Sequence, residues 1–173
     1  HWTSLLNSGA AISVAKETGQ AAATVNIQNL SNMLARLMPG SLSSAVWMIH
    51  PSVIPQLFQL TLGNYPIFLP IGGVQGQAGS GFTLFGRPVI ISQHASPLGT
   101  AGDISLLDMS YYRTITKAGG IETATSMHLY FDADATAFRA TFRLDGQSKI
   151  SNPVSPAKGA ATLSPFVQLA TRA

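Results

Sequence analysis

The stretch that most limits what this chain can become is residues 136–146, TAFRATFRLDG. There Phe138, Ala140, Phe142 and Leu144 alternate with Arg139, Thr141, Arg143 and Asp145. Side chains on a strand point alternately to opposite faces, so the pattern describes one β-strand with an apolar face and an arginine-bearing face. Such a strand needs a sheet to lie in and an apolar surface to cover it. Taken alone it is an ordinary half-buried strand, and only its context gives the arginines a role.

Composition supplies part of that context. A chain of 173 residues is one domain, or one domain with a lobe, and is long enough for a real core. Hydrophobic residues make up 46% and charged residues only 10%, where a typical soluble domain carries roughly a quarter charged. The surface must then be built largely from Ser, Thr, Gln, Asn, Gly and Ala. That suits a surface later buried against neighbours, although an unusual monomer could present the same. The net charge of +3 comes from ten Lys and Arg against seven acids. No window holds a dense basic run, and the arginines do not interleave with stacking aromatics. This argues against sequence-specific nucleic-acid reading and leaves at most a weak basic face toward nucleic acid. The absence of cysteine excludes disulfides and thiolate metal sites. No apolar run approaches the roughly 20 residues that span a bilayer, and no signal peptide is visible. The chain opens on His1 and Trp2 instead of Met, which reads as a processed or truncated product.

Along the chain, residues 10–15 form a short strand pattern. Asn26 is placed to cap a helix over 27–38, where Ile27, Leu30, Met33, Leu34 and Leu37 fall at helical spacing before Pro39 and Gly40 stop it. Met33 and Met38 read as core filling. Residues 45–49 (AVWMI) predict a buried strand, and Pro51 suits the first turn of a helix running to about residue 60. Gly63 and Asn64 turn the chain into 65–69. Five glycines between 70 and 81 predict a flexible loop. Residues 83–85 lead through Gly86, Arg87 and Pro88 into 89–92, expected as another buried strand. Further strands are expected at 104–107, 111–115 and 121–125, and the chain closes through 160–169. Strands outnumber helices without alternating with them, which predicts a mixed α+β domain.

A search for chemistry ends without a site. The Gly-rich loop lacks GxxxxGK[ST], and no helix pattern follows it. Gly79-Ser80-Gly81 fails GxSxG, because Ala78 and Phe82 hold the outer positions. His1, His50, His94 and His128 are scattered, with no pair at i, i+4 metal spacing. Asp132 and Asp134 make a poor calcium site by themselves and read as a solvated turn. A Ser-His-Asp triad meets only in space, and Ser80 with His94 and Asp103 stands as its example.

Read together, several segments resemble the tailed-bacteriophage major capsid proteins of the Hong Kong ninety-seven-type fold. The similarity begins with Ala45-Val46-Trp47-Met48-Ile49-His50-Pro51, Leu57 and Gly63-Asn64-Tyr65, like the family's "W-hydrophobic-N-P … L … G-x-Y". It continues through Leu84-Phe85-Gly86-Arg87-Pro88-Val89, like "G-x-P-V", and Gly102-Asp103, like "G-D-hydrophobic". Tyr111-Tyr112-Arg113 and Gly120-Ile121 follow in order. Phe131 and Asp134 with Phe138-Arg139 and Arg143 complete it, like "F-x-x-N … I-R … R".

The resemblance implies an axial domain over residues 18–122, a mixed sheet with flanking helices. Residues 1–17 and 123–173 would belong to a partial peripheral domain, and the N-terminal arm, extended loop and spine helix would be absent. It implies a structural subunit of a phage or prophage icosahedral shell, not an enzyme and without cofactor or metal. Partners would be copies of itself in pentamers and hexamers, with scaffold, portal and packaged DNA as further ones, and no membrane. Its place would be the virion capsid, and the host cytoplasm during assembly. Some family members cross-link their shells through a lysine, an asparagine and a glutamate. The asparagine's place falls on Asp134 and the glutamate's on Thr141, so no isopeptide chemistry is expected. Candidate intersubunit contacts are Arg87, Arg113, Arg139 and Arg143. For Arg139 and Arg143, a neighbour's carboxylates and in-chain acids such as Asp145 are both open as partners. The alternatives are a cellular nanocompartment shell on the same fold, or a small serine hydrolase.

Overall fold

The computed structural model describes residues 5–70 and 81–173. Its strands, in chain order, are β1 (Ile12–Val14), β2 (Val46–Ile49), β3 (Thr61–Leu62), β4 (Tyr65–Pro66), β5 (Phe68–Pro70), β6 (Phe82–Leu84), β7 (Arg87–Ile91), β8 (Ile104–Leu107), β9 (Tyr112–Thr116), β10 (Glu122–Tyr130), β11 (Ala135–Thr141), β12 (Leu144–Ser148) and β13 (Phe166–Leu169). Helices are α1 (Ile27–Arg36) and the short α2 (Ile54–Leu57).

A seven-stranded sheet runs in the order β1-β13-β8-β2-β7-β6-β5. It is mixed: β2 is antiparallel to β8 and parallel to β7, and β1 is parallel to β13. The fold is α+β, as expected. Alternation along β2 sends Trp47 and Ile49 to one side and Met48 to the other. On the first side Trp47, Ile49, Ile104, Leu106, Val167 and Leu169 form the main core, covered by Leu30, Met33, Val53 and Leu57 from the helical layer. Trp47 is fully buried, and its indole Nε1 donates to the Leu84 carbonyl at 3.0 Å, so its one polar atom is satisfied. On the second side Leu107 and Phe166 pack with Ala10, and Leu5, Leu6, Met48 and Tyr112 partly cover them.

α1 begins where Asn26 turns extended (φ −112°, ψ 154°), and the Asn26 amide donates to Asn29 Oδ1 at 3.0 Å. It ends at Arg36, one turn short of Pro39. The helix expected over 51–60 is shorter, a 3-10 turn Pro51–Val53 followed by α2.

Three strand expectations are corrected. Residues 89–92 are not a buried strand: Ile90 and Ile91 of β7 are exposed, because this part of the sheet is poorly covered. The candidate at 121–125 is the longer β10. Residues 136–146 are not one strand, since β11 pairs with β10 while β12 pairs with β9. Thr116 lies opposite Leu144 and Glu122 opposite Thr141, so residues 117–121 bulge against 142–143 and bend the ribbon. The Lys117 amide donates to the Arg143 carbonyl at this break, at 3.1 Å. Most of the glycine-rich loop, 71–80, falls outside the described residues.

The sheet draws on both of the expected parts, since β1 and β13 are hydrogen-bonded into it. The ribbon β9–β12 stands apart. No side chain between Leu107 and Phe166 belongs to the buried apolar core.

Candidate functional site

The ribbon carries most of the uncovered apolar surface. In the β10–β11 register, Arg139 faces Ala124 and Phe138 faces Thr125, so arginine and phenylalanine do point to opposite faces. Neither face is buried, which corrects the half-buried reading. Phe138 is 69% exposed, Phe142 55%, Met127 67% and Phe131, at the ribbon's tip, 82%. A lone two-stranded ribbon is marginal in water because it cannot bury such residues against itself. Each phenylalanine presents about 150–250 Å². Fully covering one exposed phenylalanine contributes about 1.5–3 kcal/mol, less whatever is already hidden. This ribbon is built to be covered.

The four candidate arginines are not brought together. Arg87 donates from Nη1 to the Ser43 carbonyl at 3.0 Å and is thereby tied within the chain. Arg113, on β9, Arg139, on β11, and Arg143, in the break before β12, are exposed. Their side chains make no hydrogen bond or ion pair among the described residues. Asp145, the in-chain acid considered for them, pairs with neither, and its Oδ1 accepts the Gly146 amide at 2.8 Å. An exposed ion pair, Lys117 with Glu122 at 2.5 Å, spans the bulge and contributes little.

Catalytic geometry does not assemble among the described residues. Asp103 is fully buried against Arg172, whose guanidinium reaches it through both nitrogens, Nη1 to Oδ1 at 3.2 Å and Nη2 to Oδ2. Asp103 Oδ2 also accepts the Gly99 amide at 2.9 Å, and Arg172 Nε donates to the Thr24 carbonyl at 2.6 Å. Asp103 is therefore committed to holding the C-terminal segment and is not available to orient His94. Ser80 lies outside the described residues. No cluster of His, Cys, Asp and Glu fit for a metal occurs among the described residues, and Asp132 and Asp134 are exposed at the tip. No helix there is long and apolar enough to cross a membrane.

Asp108 is a second buried carboxylate, holding the chain together where β8 ends. It accepts from Ser44 Oγ at 2.8 Å, and from the Ser110 amide at 3.0 Å and hydroxyl at 2.7 Å. Burial pushes its pKa up, but these donors outweigh that and hold it below the ordinary carboxylate value. Ser41 Oγ, outside hydrogen-bond reach of any partner, stands near enough to act in the same direction.

Between the second face of the sheet and the ribbon's base lies a 510 Å³ cavity, walled chiefly by Leu5, Leu6, Met48, Leu107, Met109 and Tyr112. Sequence reasoning missed this cavity and the Asp103–Arg172 pair. The signal for the pair was a lone arginine just beyond an apolar strand at 166–169.

The model of the phage capsid family matches residues 4–159. The chain belongs to the phage capsid family. Among solved structures, the capsid of an empty GTA particle computed with C5 symmetry is similar over 99% of this chain, with 14% identity and a TM-score of 0.66. At that identity the likeness speaks for the fold. The chain spans 57% of that structure's length. No curated protein matches the chain. In this capsid-family chain the motif residues have structural jobs. Trp47 anchors the core, and Gly63 with Asn64 makes the β3–β4 turn. Gly102 adopts a positive φ of 83° where a Cβ would meet Leu6 Cδ1 at 2.8 Å, and so delivers Asp103 to Arg172.

Proposed function

We propose that this chain is a structural subunit of a phage or prophage icosahedral capsid, assembling with copies of itself into pentamers and hexamers. The observation that carries the reading is the uncovered ribbon on a phage-capsid fold: beyond Tyr112 at its base, its apolar side chains, Phe138, Phe142, Met127 and Phe131 among them, lie exposed outside the core. The C5 symmetry of the related GTA capsid supports self-association in cyclic groups. On this reading residues 18–122 are the axial part, and residues 1–17 with 123–173 belong to the peripheral part. β1 and β13 are then the strands that join the peripheral part to the axial sheet. Arg113, Arg139 and Arg143, whose side chains have no partner among the described residues, present guanidinium forks to a neighbour's carboxylates, while Arg87 ties the start of β7 to the Ser43 carbonyl. The subunit's place is the virion capsid, reached from the host cytoplasm. Scaffold, portal and packaged DNA, the last held without sequence preference, complete its partners. No catalytic step is assigned to it.

The test is to purify nuclease-resistant particles from cells that produce this protein and identify their components by mass spectrometry. Peptides of residues 5–173 should dominate the particle fraction in stoichiometric excess over other proteins. Their absence from particles that package DNA would overturn the reading.

A further inference from the structure

Residues 1–4, His1-Trp2-Thr3-Ser4, lie outside the described residues, and they join the described chain at the wall of the 510 Å³ cavity, which Leu5 and Leu6 both line. That junction is fixed from two sides. Gln168 Nε2 donates to the Leu6 carbonyl at 3.2 Å, and the Ser8 hydroxyl donates to the Leu5 carbonyl at 2.9 Å. Gly102 lets Leu6 pack close against it, since a Cβ there would meet Leu6 Cδ1 at 2.8 Å. Trp2 is therefore tethered to the rim of the cavity: three residues at about 3.3 Å each reach roughly 10 Å.

Sequence and cavity match in three respects. Trp2 precedes Leu5 by three positions and Leu6 by four, the spacing of residues that share one face of a helical turn. Leu5–Asn7 is such a turn. Trp2 is also the one large apolar residue of the four, and the cavity offers it Met48, Leu107, Met109 and Tyr112 in a volume usual for an occupied pocket. Methionine thioethers contact aromatic rings favourably. The third match is polar. Ser105, in the cavity wall, is 1% exposed, and its Oγ has no hydrogen-bond partner among the described residues. A buried indole needs an acceptor for its N–H, and a buried hydroxyl without a partner is costly. Each need answers the other.

We propose that Trp2 seats its indole in this cavity, with Nε1–H donating to Ser105 Oγ. The tether favours this occupant, because a covalently attached ring acts at a higher effective concentration than a free partner. Seated there, the ring meets Met48 and Leu107 from the sheet and Tyr112 from β9. It thereby braces the base of the ribbon, which otherwise stands apart from the sheet.

The experiment is NMR on the 173-residue chain with its methionine methyls and tryptophan indoles isotopically labelled. The ring current of a seated indole displaces the Met48 and Met109 methyl resonances. Trp2→Ala should return both to ordinary methionine positions, and Trp2→Phe should keep part of the displacement. Met33, in the core on the other side of the sheet, and Met127, exposed on the ribbon, should not move. Trp2→Ala should also lower Tm by about 3–12 °C, as expected for uncovering one large apolar side chain. Ser105→Ala should speed hydrogen exchange of the Trp2 indole N–H about 3–10-fold. The Trp47 indole, bonded to the Leu84 carbonyl, should stay slow and serves as the control. Met48 and Met109 methyls that ignore Trp2→Ala overturn the proposal, whatever happens to Tm. Methyls that move with protein concentration and not with Trp2 overturn it in favour of a second copy. Indole exchange unchanged by Ser105→Ala overturns the assigned hydrogen bond.

Discussion

Replacing Arg172 with methionine removes the guanidinium but keeps much of the aliphatic stem. Both Arg172 and Asp103 have fully buried side chains, so solvent does not screen the change. The variant leaves an unpaired carboxylate among apolar neighbours, a loss of about 3–5 kcal/mol for a broken buried pair. The Thr24 carbonyl, 2.6 Å from Nε, loses its donor as well and adds about 1 kcal/mol. A domain of this kind has only about 5–15 kcal/mol of stability in total. At about 2–4 °C per kcal/mol for a chain of this size, Tm should fall by roughly 8–24 °C. Asp103→Leu should cost a similar amount, since it strands the arginine and the Gly99 amide. The double variant is the informative one. With both charges gone it should be more stable than either single variant, yet below the parent, because Gly99 and Thr24 still lack partners. Scanning calorimetry on the four proteins measures the cycle. An Arg172→Met shift under about 2 °C, or a double variant losing the sum of the singles, would refute the view that this pair holds the C-terminal segment to the sheet.

Asp108 makes stability pH-dependent. Its folded pKa lies below its unfolded one, so its contribution is complete above about pH 5 and is lost as pH falls through 3.9 toward the folded value. Asp108→Asn should flatten the parent's acid side in denaturant titrations, and identical slopes in the two proteins would contradict this. Gly146→Ala should destabilise the β9–β12 pair by about 1–3 kcal/mol, because the new methyl would stand 2.6 Å from the Tyr112 hydroxyl oxygen. Hydrogen exchange should show the loss first at 112–116 and 144–148. Arg139→Glu with Arg143→Glu should leave the melting temperature within about 1–2 °C of the parent, as expected of exposed, unpaired groups. The same pair should weaken assembly, read by light scattering, and a large drop in Tm would show an in-chain role instead.

Much of the layered part was legible because it obeys local rules. Leu30 and Met33 sit at helical spacing, Asn26 and Pro39 bracket their helix, and the run at 45–49 is apolar enough to name a buried strand. The ribbon was legible as alternation but not as architecture. Nothing local to residues 142–143 says that Thr141 and Leu144 have different partners, since the cause is the surplus of residues at 117–121 on the opposite strand. The burial of Val89–Ile91 was misjudged for a related reason. Apolar content shows that a strand wants cover, and only the tertiary arrangement shows whether the chain supplies it. Arg113, Arg139 and Arg143 could be nominated from pattern, but that they have no partner among the described residues needed coordinates. Arg172 escaped notice because Asp103, its partner, lies 69 positions away.

The position of β13 bears on how the molecule is made. Of the described strands it leaves the ribosome last, yet it lies between β1 and β8, one made first and the other midway. A growing or prematurely ended chain without it has β1 with nothing to pair to, one edge of β8 open, and Asp103 buried with no cation. The sheet thus closes only when synthesis has passed residue 172, and on the proposed reading a copy stopped before that point should fail to fold and so be kept out of the shell. An assembly made of many identical copies gains from this, because one defective member would compromise every neighbour it touched.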